Sequence, residues 1–268
     1  MNDIIQQFKT LRTLPHGLIV WLVSYAALFP VFHEMFSMWN TPGDRYAHGW
    51  LIAAASLYLL ALNSKRLTES PKRFAPAVMI IAAGIIGVSW LAVIANITVI
   101  QLALLPLAYL SISLAMYGIH NARVFLASGA ILYFALPIWN PINTYLQDMS
   151  SFMATNLFAL SGIPVLVDGN YITLPNGSFH VAEGCSGFKY FISAATIATL
   201  YTYLFTSGFV RQIGVIALGI ILAIVTNWIR IVGVLAMGYE LGTHHPMVED
   251  HDTFGWILFA IALGVFFF

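Results

Sequence analysis

The chain has 268 residues, 60% of them hydrophobic and only 8% charged, with 11 basic and 11 acidic side chains. A soluble domain carries roughly 25% charged residues, so this composition excludes a soluble class and leaves an integral membrane protein. Zero net charge gives nucleic acid no electrostatic footing, and one cysteine excludes an internal disulfide framework or a CxxC metal or redox pair.

The first fifteen residues are polar and amphipathic, and the apolar run behind them lacks a small-residue cleavage site, so no cleavable signal peptide is expected. Runs apolar enough to cross about 30 Å of hydrocarbon predict spans at 17–32, 49–62, 77–95, 99–118, 124–139, 187–206, 214–238 and 253–268. The expected architecture is all-α: about eight transmembrane helices in one domain over 1–268, with an outer insertion at 140–184. Lys9 and Arg12 precede the first span, Lys65, Arg66, Lys72 and Arg73 separate the second from the third, Arg123 the fourth from the fifth, and Arg211 the sixth from the seventh. All lie on the side of the N-terminus, which the excess of Lys and Arg makes cytoplasmic. The opposite side receives 33–47, a tight turn near Asn96, the long segment 140–184 and the loop 239–252.

Within the outer insertion, 141–160 mixes polar residues with apolar ones at helical spacing (Ile142, Tyr145, Leu146, Met149, Phe152, Met153, Leu157). That pattern predicts a helix lying along or dipping into the interface. Segments 165–167 and 171–174, parted by Asp168-Gly169-Asn170, read as a hairpin, with a second turn at Pro175-Asn176-Gly177 before 179–182. This small β element delivers the chain to Cys185.

Cys185 sits among Gly184, Ser186 and Gly187, directly ahead of the apolar run 188–205. At the first turn of a helix, unpaired N–H groups and the positive end of the dipole favour a thiolate. Lys189, four residues on, would share the helical face and add a cation. The competing reading is a small buried apolar cysteine. In the seventh span Arg230 places a charge inside an apolar helix at a cost of about 3 kcal/mol by insertion scales, and such a charge is a functional-site hypothesis by default; Asn227 shares its face. The last outer loop holds His244, His245, Glu249, His251 and Asp252. A histidine at the start of the final span would serve as general base or acid toward a thiol. A metal site of His244, His245, Glu249 and His251, or a solvated polar loop, are the alternatives, although the spacing matches no tight ligand signature such as HExxH. Thiol, guanidinium and imidazole thus converge on one level of one face. The imidazole would activate Cys185 toward a peptide carbonyl while Arg230 stabilises the oxyanion, a chemistry that needs no metal and no cofactor.

At this point the chain resembles the exosortase/archaeosortase family of membrane cysteine transpeptidases, most closely the bacterial exosortases, from Asp44 onward. Tyr46-Ala47-His48-Gly49 is similar to the family's HG motif, Val181-Ala182-Glu183-Gly184-Cys185-Ser186-Gly187 to AExCSG, Asn227-Trp228-Ile229-Arg230 to NxxR, and His251-Asp252-Thr253-Phe254-Gly255-Trp256 to HxxxGW. The resemblance implies a catalytic triad of Cys185, Arg230 and His251, which separates His251 from His244 and His245, with Glu183, Lys189, Asn227 and His48 in support. Lys189 departs from the arginine common after CSG, keeping the charge but not the bidentate fork. The implied substrates are secreted proteins ending in a PEP-CTERM-type tail: a short Pro-Glu-Pro-like motif, a transmembrane helix and a basic cluster. The implied product is an acyl-enzyme passed to an acceptor nucleophile, an envelope glycan or a lipid. The implied place is the bacterial inner membrane, with the site on its outer side. The rival classes are a membrane metallohydrolase using the 244–251 loop and a non-enzymatic transporter.

Overall fold

The computed structural model describes residues 14–41, 45–63, 67, 75–242 and 244–267. Lys9, Arg12, Lys65, Arg66, Lys72 and Arg73, on which the orientation partly rests, lie outside the described residues, as does Asp44. The chain divides into two compact units, Met1–Ile138 and Trp139–Phe268.

In the first unit, α1 (Leu14–Ala27) and α2 (Phe29–Asn40) replace the single span expected at 17–32. The two helices bend by 106°. The break has a local cause: Pro30 lies in the first turn of α2, where its missing N–H costs nothing, whereas in one continuous helix it would forfeit the bond to the carbonyl four residues back and its ring would clash there. Val31, Phe32, Met35 and Trp39 form the buried stripe of α2. Next come α3 (Gly49–Leu62), α4 (Pro76–Ile94) and α5 (Thr98–Tyr117). The chain reverses between α4 and α5 at the expected turn, where Asn96 adopts φ 54°. The predicted span 124–139 is also broken, into α6 (Ala122–Ala130) and short 3-10 turns at Ile131–Ala135 and Pro137–Trp139. Leu136 is extended, as the residue before a proline tends to be.

The second unit opens with α7 (Asn140–Leu160), the helix expected from the 141–160 pattern. Strands β1 (Leu166–Asp168), β2 (Tyr171–Leu174) and β3 (Gly177–His180) form an antiparallel sheet in that order, with Asp168 opposite Tyr171 and Tyr171 opposite His180. β2 alternates: Ile172 and Leu174 are buried, Tyr171 and Thr173 exposed. The buried pair packs with Ala154 and Phe158 of α7, and with Ile231 and Leu235 of α9 (Phe209–Leu241). Between sheet and α9 runs α8 (Phe188–Phe205); after α9 come the short α10 (Pro246–Glu249) and α11 (His251–Phe267). Tyr190, Ala194, Ala223 and Phe259 join α8, α9 and α11 in a second cluster.

Among the described residues, α4, α5 and α9 are each long and apolar enough to cross a membrane, and the number rises to five if each of two bent helix pairs is one span. α3 and α11 are shorter apolar helices. The 33 residues of α9 measure about 50 Å at 1.5 Å per residue, so it outruns the hydrocarbon. On α4, Ile80, Leu91 and Ile94 are 65–75% exposed, a disposition suited to lipid rather than water.

Candidate active site

Cys185 ends a 3-10 turn, Glu183–Cys185, in which its N–H donates to the Ala182 carbonyl (2.8 Å). α8 starts only at Phe188, because Gly187 adopts the left-handed conformation (φ 86°, ψ 7°). A side chain there is strained, and a Cβ would fall 2.6 Å from Asn227. The sequence expectation of Cys185 in the first turn of a helix is therefore corrected. A left-handed glycine separates Cys185 from α8, so Cys185 and Lys189 do not share a helical face.

The turn is held from beneath by buried polar groups. Asn143, Gln147 and Ser150 lie on one face of α7 and are all buried. Gln147 Nε2 donates to the Val181 carbonyl (2.6 Å), Ser150 Oγ to the Ser186 carbonyl (3.4 Å), and Ser186 Oγ to Asn143 Oδ1 (2.6 Å). Ser186 Oγ also accepts from the Phe188 N–H (3.1 Å), the first backbone donor of α8, which has no partner within the helix. From α9, Asn227 Nδ2 donates to the Cys185 carbonyl (3.0 Å) and to Ser150 Oγ (3.1 Å). Asn143, Gln147 and Ser150 of α7 thus face protein. The sequence pattern showed such a face but read it as an interface with water and lipid.

His251, the first residue of α11, brings Nε2 to 3.6 Å from Cys185 Sγ. Its Nδ1 donates to the Val248 carbonyl (2.9 Å), which fixes the ring and leaves Nε2 for the sulfur. Arg230 is 3% exposed. Its Nε donates to the His251 carbonyl (3.1 Å), its Nη2 pairs with Asp252 Oδ1 (2.6 Å), and its guanidinium carbon lies 5.7 Å from the Tyr190 ring centroid, a cation–π distance. Nη1 has no acceptor among the described residues. Gly255 makes this approach possible, since a Cβ there would collide with Tyr190 and Arg230. Trp256 then closes edge-on against Tyr190 (5.7 Å, 78°).

These contacts set the ionisation of the pair. Burial pushes the Cys185 thiol up, but the His251 hydrogen bond and the Arg230 charge outweigh it and hold the thiol below its ordinary value. The hydrogen bond to Cys185 raises His251, with burial opposing it. Both shifts favour a thiolate–imidazolium pair. The cation that acts on the thiol is Arg230, not Lys189.

Two cavities meet at the sulfur. One, of about 140 Å³, is walled largely by Phe179, Val181, Ile231, Val234, Leu235 and Val248. The other, of about 160 Å³, is the more polar of the two, about half of its lining being polar, with Lys189, Tyr190, Asp252 and Trp256 around its wall. Cys185, Arg230 and His251 line both.

The expected site residues fall into three groups. Cys185, Arg230, His251 and Asn227 come together, and Lys189 lines the polar cavity. Glu183 opens the turn that ends at Cys185 and is exposed. His48 belongs to the first unit, where its Nε2 donates to the Phe134 carbonyl (3.3 Å). In the segment between α9 and α11, His244 pairs with Glu249 (3.4 Å) while His251 turns to the thiol. Among the described residues no three His, Cys, Asp or Glu side chains gather as metal ligands would. Asn143, Gln147, Ser150, Tyr190 and Asp252 escaped the sequence reading. For Asp252, adjacency to His251 was the available signal.

A thiol, an imidazole and a buried guanidinium joined at the head of apolar helices define a membrane protein with a candidate nucleophilic site. A family model described as transmembrane exosortase matches residues 39–268. The chain belongs to the transmembrane exosortase family, a family of transpeptidases and proteases. No curated protein and no solved structure matches the chain.

Proposed function

We propose that this exosortase is a cysteine transpeptidase that cuts C-terminal sorting tails of the PEP-CTERM type and passes the protein to an acceptor. The observation that carries the reading is the 3.6 Å contact between Cys185 Sγ and His251 Nε2, with Arg230 beside both. The Cys185 thiolate attacks the scissile carbonyl. Arg230 Nη1 is the donor left to meet the oxyanion. His251 protonates the departing amine, leaving a thioester on Cys185. An acceptor nucleophile, a glycan or lipid of the envelope, then displaces the sulfur and returns a proton to His251. The distribution of basic residues supports a cytoplasmic N-terminus and a site on the outer side of the bacterial inner membrane, with a substrate tail whose basic end stays inside.

The test is co-expression with a tagged substrate. Cys185→Ala and Cys185→Ser are expected to abolish tail release while the protein inserts and folds normally, and wild type should carry a hydroxylamine-labile adduct on Cys185. Full processing by the alanine variant eliminates the cysteine mechanism.

A further inference from the structure

The sulfur of Cys185 lies on the border of two cavities of unlike character, one largely apolar and one of mixed lining that carries the charged groups, and a single imidazole borders both. Resting on the proposed thioester mechanism, that arrangement constrains what each cavity holds. In acylation Sγ bonds the carbonyl carbon, the C–N bond breaks, and the leaving nitrogen takes the proton of His251. In deacylation an incoming oxygen or nitrogen bonds the same carbon, the C–S bond breaks, and the proton of the nucleophile returns to His251. Leaving group and acceptor therefore occupy one place in turn, because one base serves both. The acyl residue must stay put throughout, in the other place.

We infer that the apolar cavity holds the side chain of the acyl residue, and that the polar cavity holds first the leaving segment and then a hydrophilic acceptor, a hydroxyl or a primary amine. The acyl residue remains while its neighbours exchange, and burial of its side chain against Val181, Ile231, Leu235 and Val248 supplies retention without any group that must be released. At about 140 Å³, the cavity is close to the ~150 Å³ apolar void that takes a benzene ring. It therefore suits one side chain of roughly leucine size. Hydrophilic nucleophiles lose less hydration beside Asp252 and Lys189 than they would against Leu235. Trp256 gives this cavity a broad apolar wall.

Two positions address the cavities separately. Val234, on α9, faces only the apolar one. Gly184 faces only the polar one; a Cβ on it meets no atom within 4 Å, and its φ is ordinary. The experiment uses the full chain in proteoliposomes with a tagged tail substrate and hydroxylamine as the first acceptor. The mass of the resulting hydroxamate identifies the acyl residue, which is then changed to Ala, Leu or Phe. Val234→Phe is expected to lower the Leu-to-Ala ratio of release rates at least about tenfold, the discrimination that a methylene or two achieves in an apolar pocket. Val234→Ala should raise the acceptance of Phe, a gain that misfolding cannot mimic. Gly184→Leu should leave the Leu-to-Ala ratio alone and shift partition from glycinamide toward the smaller hydroxylamine about tenfold. Tail release by wild type without any hydroxamate overturns the thioester mechanism itself. Hydroxamate formation with an unmoved Val234 profile, or with Gly184→Leu altering acyl preference, overturns only the assignment of the cavities.

Discussion

Asn227 separates positioning from packing more cleanly than any other residue of the site. Its Nδ2 donates to the Cys185 carbonyl and to Ser150 Oγ, while its Oδ1 is buried with no partner among the described residues. In Asn227→Leu, a near-isosteric change, the Cys185 carbonyl loses its donor, a penalty of about 1–3 kcal/mol for an unsatisfied buried group. The same change removes an orphaned acceptor of the same kind, a gain of about 1–3 kcal/mol. Ser150 keeps its own donation to Ser186. Stability should therefore move by no more than about 2 kcal/mol in either direction, whereas the turn that aims the sulfur loses its anchor on α9. A displacement of 1 Å at a reacting atom can cost about 100-fold in rate, and a fall of that order is expected. Tail release, thermal unfolding in detergent and the rate of Cys185 alkylation by iodoacetamide are measured side by side. If Asn227→Leu unfolds more than 3 kcal/mol more easily and activity falls only in step with folded protein, the anchoring argument is wrong.

Because Cys185 is held low and His251 high, the thiolate–imidazolium pair exists between the two values. It is lost as pH falls through the thiol's value and as pH rises through the imidazole's. His251→Ala should therefore move the alkylation inflection of Cys185 upward, since burial then acts with less opposition; an unmoved inflection rejects the pairing. Arg230→Lys keeps the charge but not the fork that grips His251 and Asp252, so tail release should drop roughly 100- to 1000-fold while substrate still co-purifies. Parallel loss of binding and stability would reduce the site to Cys185 and His251. Asp252→Asn should cost far less, because the Asp252 side chain is 76% exposed and such a pair is screened; a loss equal to that of Arg230→Lys would make the carboxylate essential. In a cysteine-free protein, single cysteines at Ser64, Ser207 and Thr243, of which the first and last lie outside the described residues, should label from outside only at Thr243. External labelling at Ser64 reverses the orientation.

The helix α7 and the order of the three strands could be read from local signals, an amphipathic period of 3.6 and the turns at Gly169-Asn170 and Pro175-Asn176, although β3 begins at Gly177, two residues earlier than the expected 179–182. The four motifs were equally legible, since each is a short run of residue types. Contacts between distant elements were not. Helical period revealed a polar stripe of Asn143, Gln147 and Ser150 but carries no information on whether water or the Cys185 turn satisfies it. The left-handed Gly187 left no mark that distinguishes it from a helical glycine, so the thiol was placed one turn too deep. Pro30 did mark the break at Leu28, yet the apolar run continues across it without a change in composition. Arg230 announced itself as a buried charge, but its partner on another helix emerged only from the packing around Gly255.

His251 and Asp252 are consecutive, and together they engage the thiol and the guanidinium from two other elements. With Cys185 as thiolate and His251 as imidazolium, their charges and those of the Arg230–Asp252 ion pair sum to zero. On the proposed mechanism the sum never changes. When the acyl group neutralises the sulfur, His251 surrenders its proton to the leaving amine, and when the acceptor arrives both charges return together. No step leaves an uncompensated ion at the membrane boundary, where each would cost several kcal/mol. On the proposed mechanism and orientation, turnover would move no net charge through the site, and the voltage across the bilayer would have no net charge there to act on.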